Sequence, residues 1–246
     1  MRALTVVLTV LAVGTACSDH GRAESQLPAA AGTPATGAPG SRLVITTDTG
    51  LRLRPTDRHR VTVDDRVEAA WSHKGRTWTL DLSCRDQARP DATCPRMPYV
   101  KVPDGVSVTV SARNAGVDAA GIDAALDLTT VNGDVTVTRS GRGDAAVRLS
   151  TRNGSVRATA LDADLLHAAT TNGDVVLACA TAPSTVTATT ANGSVDVTIP
   201  HGTPAYRVTA DTDNGRATTA VPTRDDSQGR DMTLITVNGD IHAHVE

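Results

Sequence analysis

The sequence predicts an all-β protein, a β-solenoid of about seven coils near 20 residues each with an N-terminal β-hairpin cap. Three observations predict it. Asn-Gly recurs at Asn132-Gly133, Asn153-Gly154, Asn172-Gly173, Asn192-Gly193, Asn214-Gly215 and Asn238-Gly239, and an imperfect Asn114-Ala115 precedes them. The intervals are 18, 21, 19, 20, 22 and 24 residues, and a threonine stands two residues before each Asn-Gly pair: Thr130, Thr151, Thr170, Thr190, Thr212 and Thr236. Around these corners apolar residues alternate with polar ones, as in strands with one buried face. Composition is the third observation: 36 Thr and 28 Val stand against no Phe, two Trp and two Tyr in 246 residues. Such a chain fills a thin core with small β-branched side chains, which excludes a broad aromatic-centred sandwich. A net charge of −3 argues against nucleic acid as a partner.

Taken in order, Met1-Arg2 is followed by an apolar run, Ala3–Val13, shorter than the roughly 20 residues of a spanning helix. It fits a signal peptide over residues 1–16, ending in Gly14-Thr15-Ala16 before Cys17. These residues resemble the lipobox of bacterial lipoproteins. The resemblance implies export, lipidation of Cys17 and anchoring on the outer face of a bacterial cell membrane. Gly14 departs from the aliphatic residue usual there, and ordinary cleavage after Ala16 is the alternative. Residues 17–41 carry Pro28, Pro34 and Pro39 with four glycines and little to bury, so they read as a flexible tether reaching about 25–30 Å.

Residues 42–103 read as the N-terminal β cap. Lys74-Gly75 forms a plausible two-residue turn, placing Trp71 opposite Trp78 across a hairpin. The two rings are either a platform for a sugar or, as we read them, a seal over the open end of the solenoid. Cys84 and Cys94, ten residues apart in an exported chain, are expected to form a disulfide contributing about 2–3 kcal/mol. The sequence has no CxxC or nearby histidine to favour a metal or redox site there.

Residues 104–246 read as the solenoid itself. Val108, Leu126, Val147, Leu166, Val186, Val208 and Met232 stand six residues before each Asn; Val117, Val135, Val156, Val175, Val195, Ala217 and Ile241 follow each corner. Asn tolerates the left-handed conformation and Gly adopts it freely, so each pair is expected to turn the chain that way. An antiparallel β-meander satisfies the same parity, but its apolar face needs a cover that the sequence does not offer. Variation in coil length falls on the far side, in Arg139–Ala146, Ile199–Arg207 and Val221–Asp231. Cys179 lies in the column of Ala160, Ile199, Val221 and Val245 and reads as a small core residue, not a reactive thiol.

The T-x-N-G-D/S-V repeats, the lead-ins Val102-Pro103-Asp104-Gly105 and Ile199-Pro200-His201-Gly202, and the lipoprotein start resemble one bacterial family. It is the putative-adhesin, β-strand-repeat family of unknown function, related to head GIN domains. The resemblance covers about residues 43–246 and implies a β-helical fold and surface exposure, with no catalytic residues to transfer. The family's usual Ser-Gly-Asp corner is Asn-Gly here.

Chemistry is sparse. Asp134 and Asp174 would sit two coils apart, about 10 Å, too far to share one Ca²⁺ and just beyond an inverting glycosidase pair. Asp134, Asp174 and Asp240 read instead as groups that tie down the corner backbone. His242, His244 and Glu246 share one strand face and are weak candidates for a transition metal. No G-x-S-x-G, P-loop or HExxH occurs. The expectation is a non-catalytic, surface-tethered protein without a cofactor, binding a cell-wall glycan or a surface protein and holding the membrane through its lipid. The competing readings are an accessory domain of an envelope regulatory or stress system and, last, a polysaccharide-active enzyme.

Overall fold

The computed structural model describes residues 38, 40–82, 97–225 and 229–246. Cys17, Cys84 and Cys94 lie outside the described residues, as do the signal peptide and most of the tether. Among the described residues there is no helix; nineteen strands follow one another. The N-terminal third contains β1 (Arg42–Thr47), β2 (Leu51–Thr56), β3 (Thr62–Val63), β4 (Ala70–Lys74), β5 (Thr77–Asp81) and β6 (Tyr99–Pro103). The middle contains β7 (Ser107–Ala112), β8 (Val117–Ala120), β9 (Leu126–Thr129), β10 (Val135–Thr138), β11 (Gly141–Ser150), β12 (Val156–Ala169) and β13 (Val175–Cys179). The rest are β14 (Thr185–Thr189), β15 (Val195–Ile199), β16 (Arg207–Asn214), β17 (Ala217–Ala220), β18 (Asp231–Asn238) and β19 (Ile241–Val245).

Successive repeats pair in parallel, so the chain coils as a solenoid and the meander is excluded. One face is built by strands that precede a corner, in the spatial order β5, β1, β7, β9, β11, the second half of β12, β14, β18 and β16. The other is built by strands that follow a corner: β6, β2, β8, β10, the first half of β12, β13, β15, β19 and β17. The long β12 passes from one face to the other and joins them into one curled sheet. Between the faces lie the expected columns. Val108, Leu126, Val147, Leu166, Val186 and Met232 form one, and Val117, Val135, Val156, Val175, Val195 and Ile241 another, all at most 2 % exposed. A residue-by-residue parallel register keeps like side chains stacked, so the core is as narrow as its β-branched composition requires.

The layers are not stacked in chain order. At one end the first coil, 42–56, lies inside the layer that holds β5 and β6. At the other, the last coil, 231–245, is inserted between 185–199 and 207–220. The boundary expected at residue 104 therefore falls within the ladder: β1 and β2 pair in parallel with β7 and β8 as a full interior layer. Burial explains the insertion. The inserted layer brings Met232, Leu234 and Ile241, all 0 % exposed, whereas 207–220 offers Val208, Ala210 and Ala217. Each buried CH₂ contributes about 0.8 kcal/mol, so the richer layer goes inside.

Two local expectations are corrected. The hairpin turn is Gly75-Arg76, not Lys74-Gly75: Lys74 pairs with Thr77 and His73 faces Trp78. Gly75, at φ +61°, supplies the positive first position of such a turn. The two indoles still meet diagonally, with centroids 6.5 Å apart at 83°, and Trp71 is 7 % exposed, so it is an end seal and not an open platform. In β12 a bulge at Ala160, φ +52°, shifts the register, so Leu161 and not Ala160 lies beside Cys179.

Cys179 is buried, 3 % exposed, and desolvation pushes its thiol up to about 12. In mildly alkaline buffer iodoacetamide should leave Cys179 unmodified in native protein and alkylate it after denaturation, as read by peptide mapping. Rapid native alkylation would contradict this register.

Candidate functional site

The repeated corner is the most uniform constellation in the molecule. Each corner threonine is buried or nearly so, and its hydroxyl donates to a main-chain carbonyl one layer away. Thr151 reaches Gly133, Thr170 reaches Gly154, Thr190 reaches Gly173 and Thr236 reaches Gly193, each at 2.8 Å; Thr212 reaches Gly239 at 2.9 Å and Thr130 reaches Ala115 at 2.8 Å. A buried carbonyl without a partner would cost about 1–3 kcal/mol, which is why threonine recurs there. The asparagines stack their amides in one ladder, in the spatial order Asn114, Asn132, Asn153, Asn172, Asn192, Asn238, Asn214, with each Nδ2 donating to the Oδ1 of the asparagine before it. Isolated parallel bridges at these residues make the corner a third, one-residue-wide side of the coil.

The asparagines are not left-handed as expected; among the described residues only Arg139 and Ala160 combine a side chain with positive φ. The glycines are required for another reason. Gly193, at φ +153°, would place a Cβ 2.0 Å from the carbonyl oxygen of Gly173, and Gly154, Gly173 and Gly239 meet the same obstacle one layer on. Next to this column, the residue after each glycine alternates in space as Asp134, Ser155, Asp174, Ser194, Asp240, Arg216. Asp134 Oδ1 accepts from the Ser155 amide, Asp174 Oδ1 from Ser194, and Asp240 Oδ1 from Arg216, at 2.8–3.0 Å. Ser155 and Ser194 hydroxyls accept from the Asp174 and Asp240 amides at 3.2 Å. Serine between aspartates keeps like charges two layers apart.

Outside the corners, side chains face solvent on two long surfaces. The face that precedes the corner carries the outward column Asp127, Arg148, His167, Thr187, Thr233, Thr209. A shallow groove of about 320 Å³ lies in it, lined by Ala146, Arg148, Leu165, Leu166, His167, Thr185 and Thr187, with Leu165 46 % exposed. On the opposite face Arg54 holds Asp118 with two hydrogen bonds of 2.9 and 3.1 Å, and Arg157 lies 3.4 Å from Asp134. Two further grooves, about 500 and 590 Å³, flank β3 and share Thr62 and Lys101. There the Arg66 guanidinium beside Asp64 holds its carboxyl down to about 2.

His244 sits 3.1 Å from Thr198 Oγ1 and 3.6 Å from Asp196, with His242 in register beside Asp196. Among the described residues no three potential ligands converge on a metal position. Two features had no sequence signal strong enough to find them. Leu165 gave no warning because it breaks the polar outward column. Tyr206 lies at 0 % exposure, donating its hydroxyl to the Pro183 carbonyl at 2.6 Å; Arg230 donates to the same oxygen. Its position in a far loop carried no periodicity.

A family model described as Toastrack DUF4097 matches residues 106–245. Two solved structures are similar to this chain. One is a putative cell adhesion protein from Clostridium sporogenes, 9% identical over 88% of this chain and 97% of that one, with a TM-score of 0.40. The other is a putative adhesin from Bacteroides fragilis, 12% identical over 87% of this chain and 95% of that one, with a TM-score of 0.44. No curated protein matches the chain.

Gly193→Ala should destabilise the fold by about 3 kcal/mol, against about 1–2 kcal/mol for Gly202→Ala, where the added methyl meets nothing within 4 Å; equal denaturant midpoints would refute the steric account. Deamidation of Asn-Gly requires the glycine nitrogen to attack the asparagine Cγ and expel ammonia. In five corners that N–H is engaged: Gly133, Gly154, Gly173, Gly193 and Gly239 each donate to an asparagine carbonyl one layer on. Gly215 belongs to the last layer and donates to no acceptor among the described residues. Asn214 should therefore deamidate at least about tenfold faster than the other five, measured by peptide mass after mildly alkaline incubation.

Proposed function

The chain belongs to the Toastrack DUF4097 family, and from that premise we propose that it is a non-catalytic rod tethered at the cell surface, binding an envelope glycan along one face. The observation that carries this reading is the fate of the corner side chains. Asp134, Asp174 and Asp240 are spent as acceptors for main-chain amides, and each corner threonine donates to a carbonyl. Ligand contact then falls to the exposed faces.

The groove around Leu165 suits a sugar polymer best. Its aliphatic side chain gives a ring an apolar bed, while Arg148, His167, Thr185 and Thr187 supply donors and acceptors along the edge. The parallel ladder repeats such a pattern every 4.8 Å or so, which favours extended ligands with many weak contacts. Lipidation at Cys17 would hold the chain on the outer face of the membrane, with residues 17–41 as the spacer and Cys84–Cys94 closing a loop near the anchored end.

Retention of the full chain on insoluble cell-wall glycan tests the proposal. Saturable binding is expected, and Arg148→Ala with His167→Ala should weaken it about tenfold, corresponding to one or two hydrogen bonds. Arg157→Ala on the opposite face should have no effect. Equal retention of all three proteins, no retention at all, or release of soluble sugar would each overturn it.

A further inference from the structure

The two ends of the stack are finished differently. At the end nearest residue 42 the outer edges of β5 and β6 are covered by the antiparallel strands β4 and β3, and Trp71 closes over them. At the other end β16 pairs with β18 alone and β17 with β19 alone. Val208, Ala210, Ala217 and Thr219 there continue inward columns whose next members, Met232, Leu234, Ile241 and Ala243, are at most 1 % exposed. They themselves are half-buried or exposed. Among the described residues, Pro222–Arg224 covers the start of this edge, bonding to both main-chain groups of Tyr206. Neither strand carries proline or a bulge, and the charges that blunt an edge are confined to Arg207, Asp211 and Asp213 of β16.

We propose that this bare end pairs with a second copy of the chain, antiparallel, about a two-fold axis through Ala210. The Arg207 amide is turned to Arg230 in the neighbouring layer, so by alternation the N–H and C=O groups of Val208, Ala210 and Thr212 face outward. The Arg216 carbonyl accepts from Ile241, which turns Ala217 and Thr219 outward in β17. A two-fold at Ala210 sets Val208 against Thr212 and Ala210 against itself, and every one of these is a hydrogen-bonding pair. Ala217 against Thr219 does the same on the other face. Side-chain parity is kept, so inward residues stay inward. Charge selects the same register: β16 begins with Arg207, which holds Asp231 of its own chain at 2.7 Å, and carries Asp211 and Asp213 near its end, so antiparallel pairing sets Arg207 opposite Asp213 of the other copy as a second acidic partner. Parallel pairing of β16 with its copy would set like charge on like.

Such a dimer points its two N-terminal ends in opposite directions. With nine layers per copy at about 4.8 Å, they lie roughly 80 Å apart. Resting on the surface-tethered reading above, the tip-to-tip pair would join two facing membranes, not two neighbours in one membrane.

Sedimentation of the full chain over a concentration series tests this. The contact is two strands wide, at the low end of specific interfaces, so a dissociation constant on the order of micromolar is expected. Asp213→Arg and Arg207→Glu should each abolish self-association, and mixing the two variants should restore it, because the mixed pair sets Arg against acid at both contacts. Circular dichroism of each variant checks the fold, and recovery on mixing cannot come from misfolded chains. A wild-type monomer throughout, a dimer indifferent to Asp213→Arg, or no recovery on mixing would overturn the proposal. Glycan retention is read separately, so loss of binding with dimerisation intact counts against the glycan reading alone.

Discussion

The carbonyl oxygen of the corner glycine governs the rest of the structure. Gly173 O accepts the Thr190 hydroxyl and lies where a Cβ on Gly193 would have to be. A larger residue would push the layers apart and lengthen every main-chain bond between them. A residue without a hydroxyl two positions before the asparagine would leave the carbonyl without this donor. The same two demands return in each repeat, so the corner stays one residue wide while the far side varies. The long β12 crosses the far side in one stroke, whereas 200–206 connect β15 to β16 outside any strand. Fixing one edge of a coil is enough to align its strands in both faces.

That arrangement divides the polar residues into two classes. At the corner, Asp134, Ser155, Asp174, Ser194 and Asp240 act on the backbone, and their chemistry is structural. On the faces, Arg148 and His167 have no such duty and are exposed, and the threonines beside them are half-buried or exposed. A solenoid built in this way can change its face residues freely, since an outward side chain in a parallel ladder touches only its neighbours in the same column. Recognition is therefore expected to be spread over the faces and ends, away from the residues that recur.

Much of this was written in the sequence. The alternation around Asn132 or Asn172 gave the inward columns residue by residue, because period two and a repeated corner leave no freedom of register. The role of Thr130 and its equivalents was visible only as a coincidence; its cause is a hydrogen bond across 15 to 43 residues that spacing cannot display. Gly75 could sit first or second in a two-residue turn, and the sequence does not distinguish them, so the hairpin was displaced by one residue. The bulge at Ala160 has no glycine to announce it. Leu165 and the groove it opens depend on which columns face out together, which is a property of stacked layers and not of any one of them.

The order of the layers could not be read from spacing, since each coil is about equally long, yet the side chains select it. In chain order the position after the corner glycine runs Asp134, Ser155, Asp174, Ser194, Arg216, Asp240. Stacked that way, Arg216 would have to accept an amide from the next layer, and a guanidinium has no acceptor. With the last coil inserted, Asp240 Oδ1 takes the Arg216 amide and Ser194 takes the Asp240 amide, so arginine falls at the end, where no layer follows. The apolar columns agree, for Leu234 and Ile241 go inside and Ala210 and Ala217 stay at the rim. Two independent kinds of side chain, acceptors at the corner and aliphatics in the core, thus place the same coil in the interior. The residues that suit neither role are the ones left on the exposed tip.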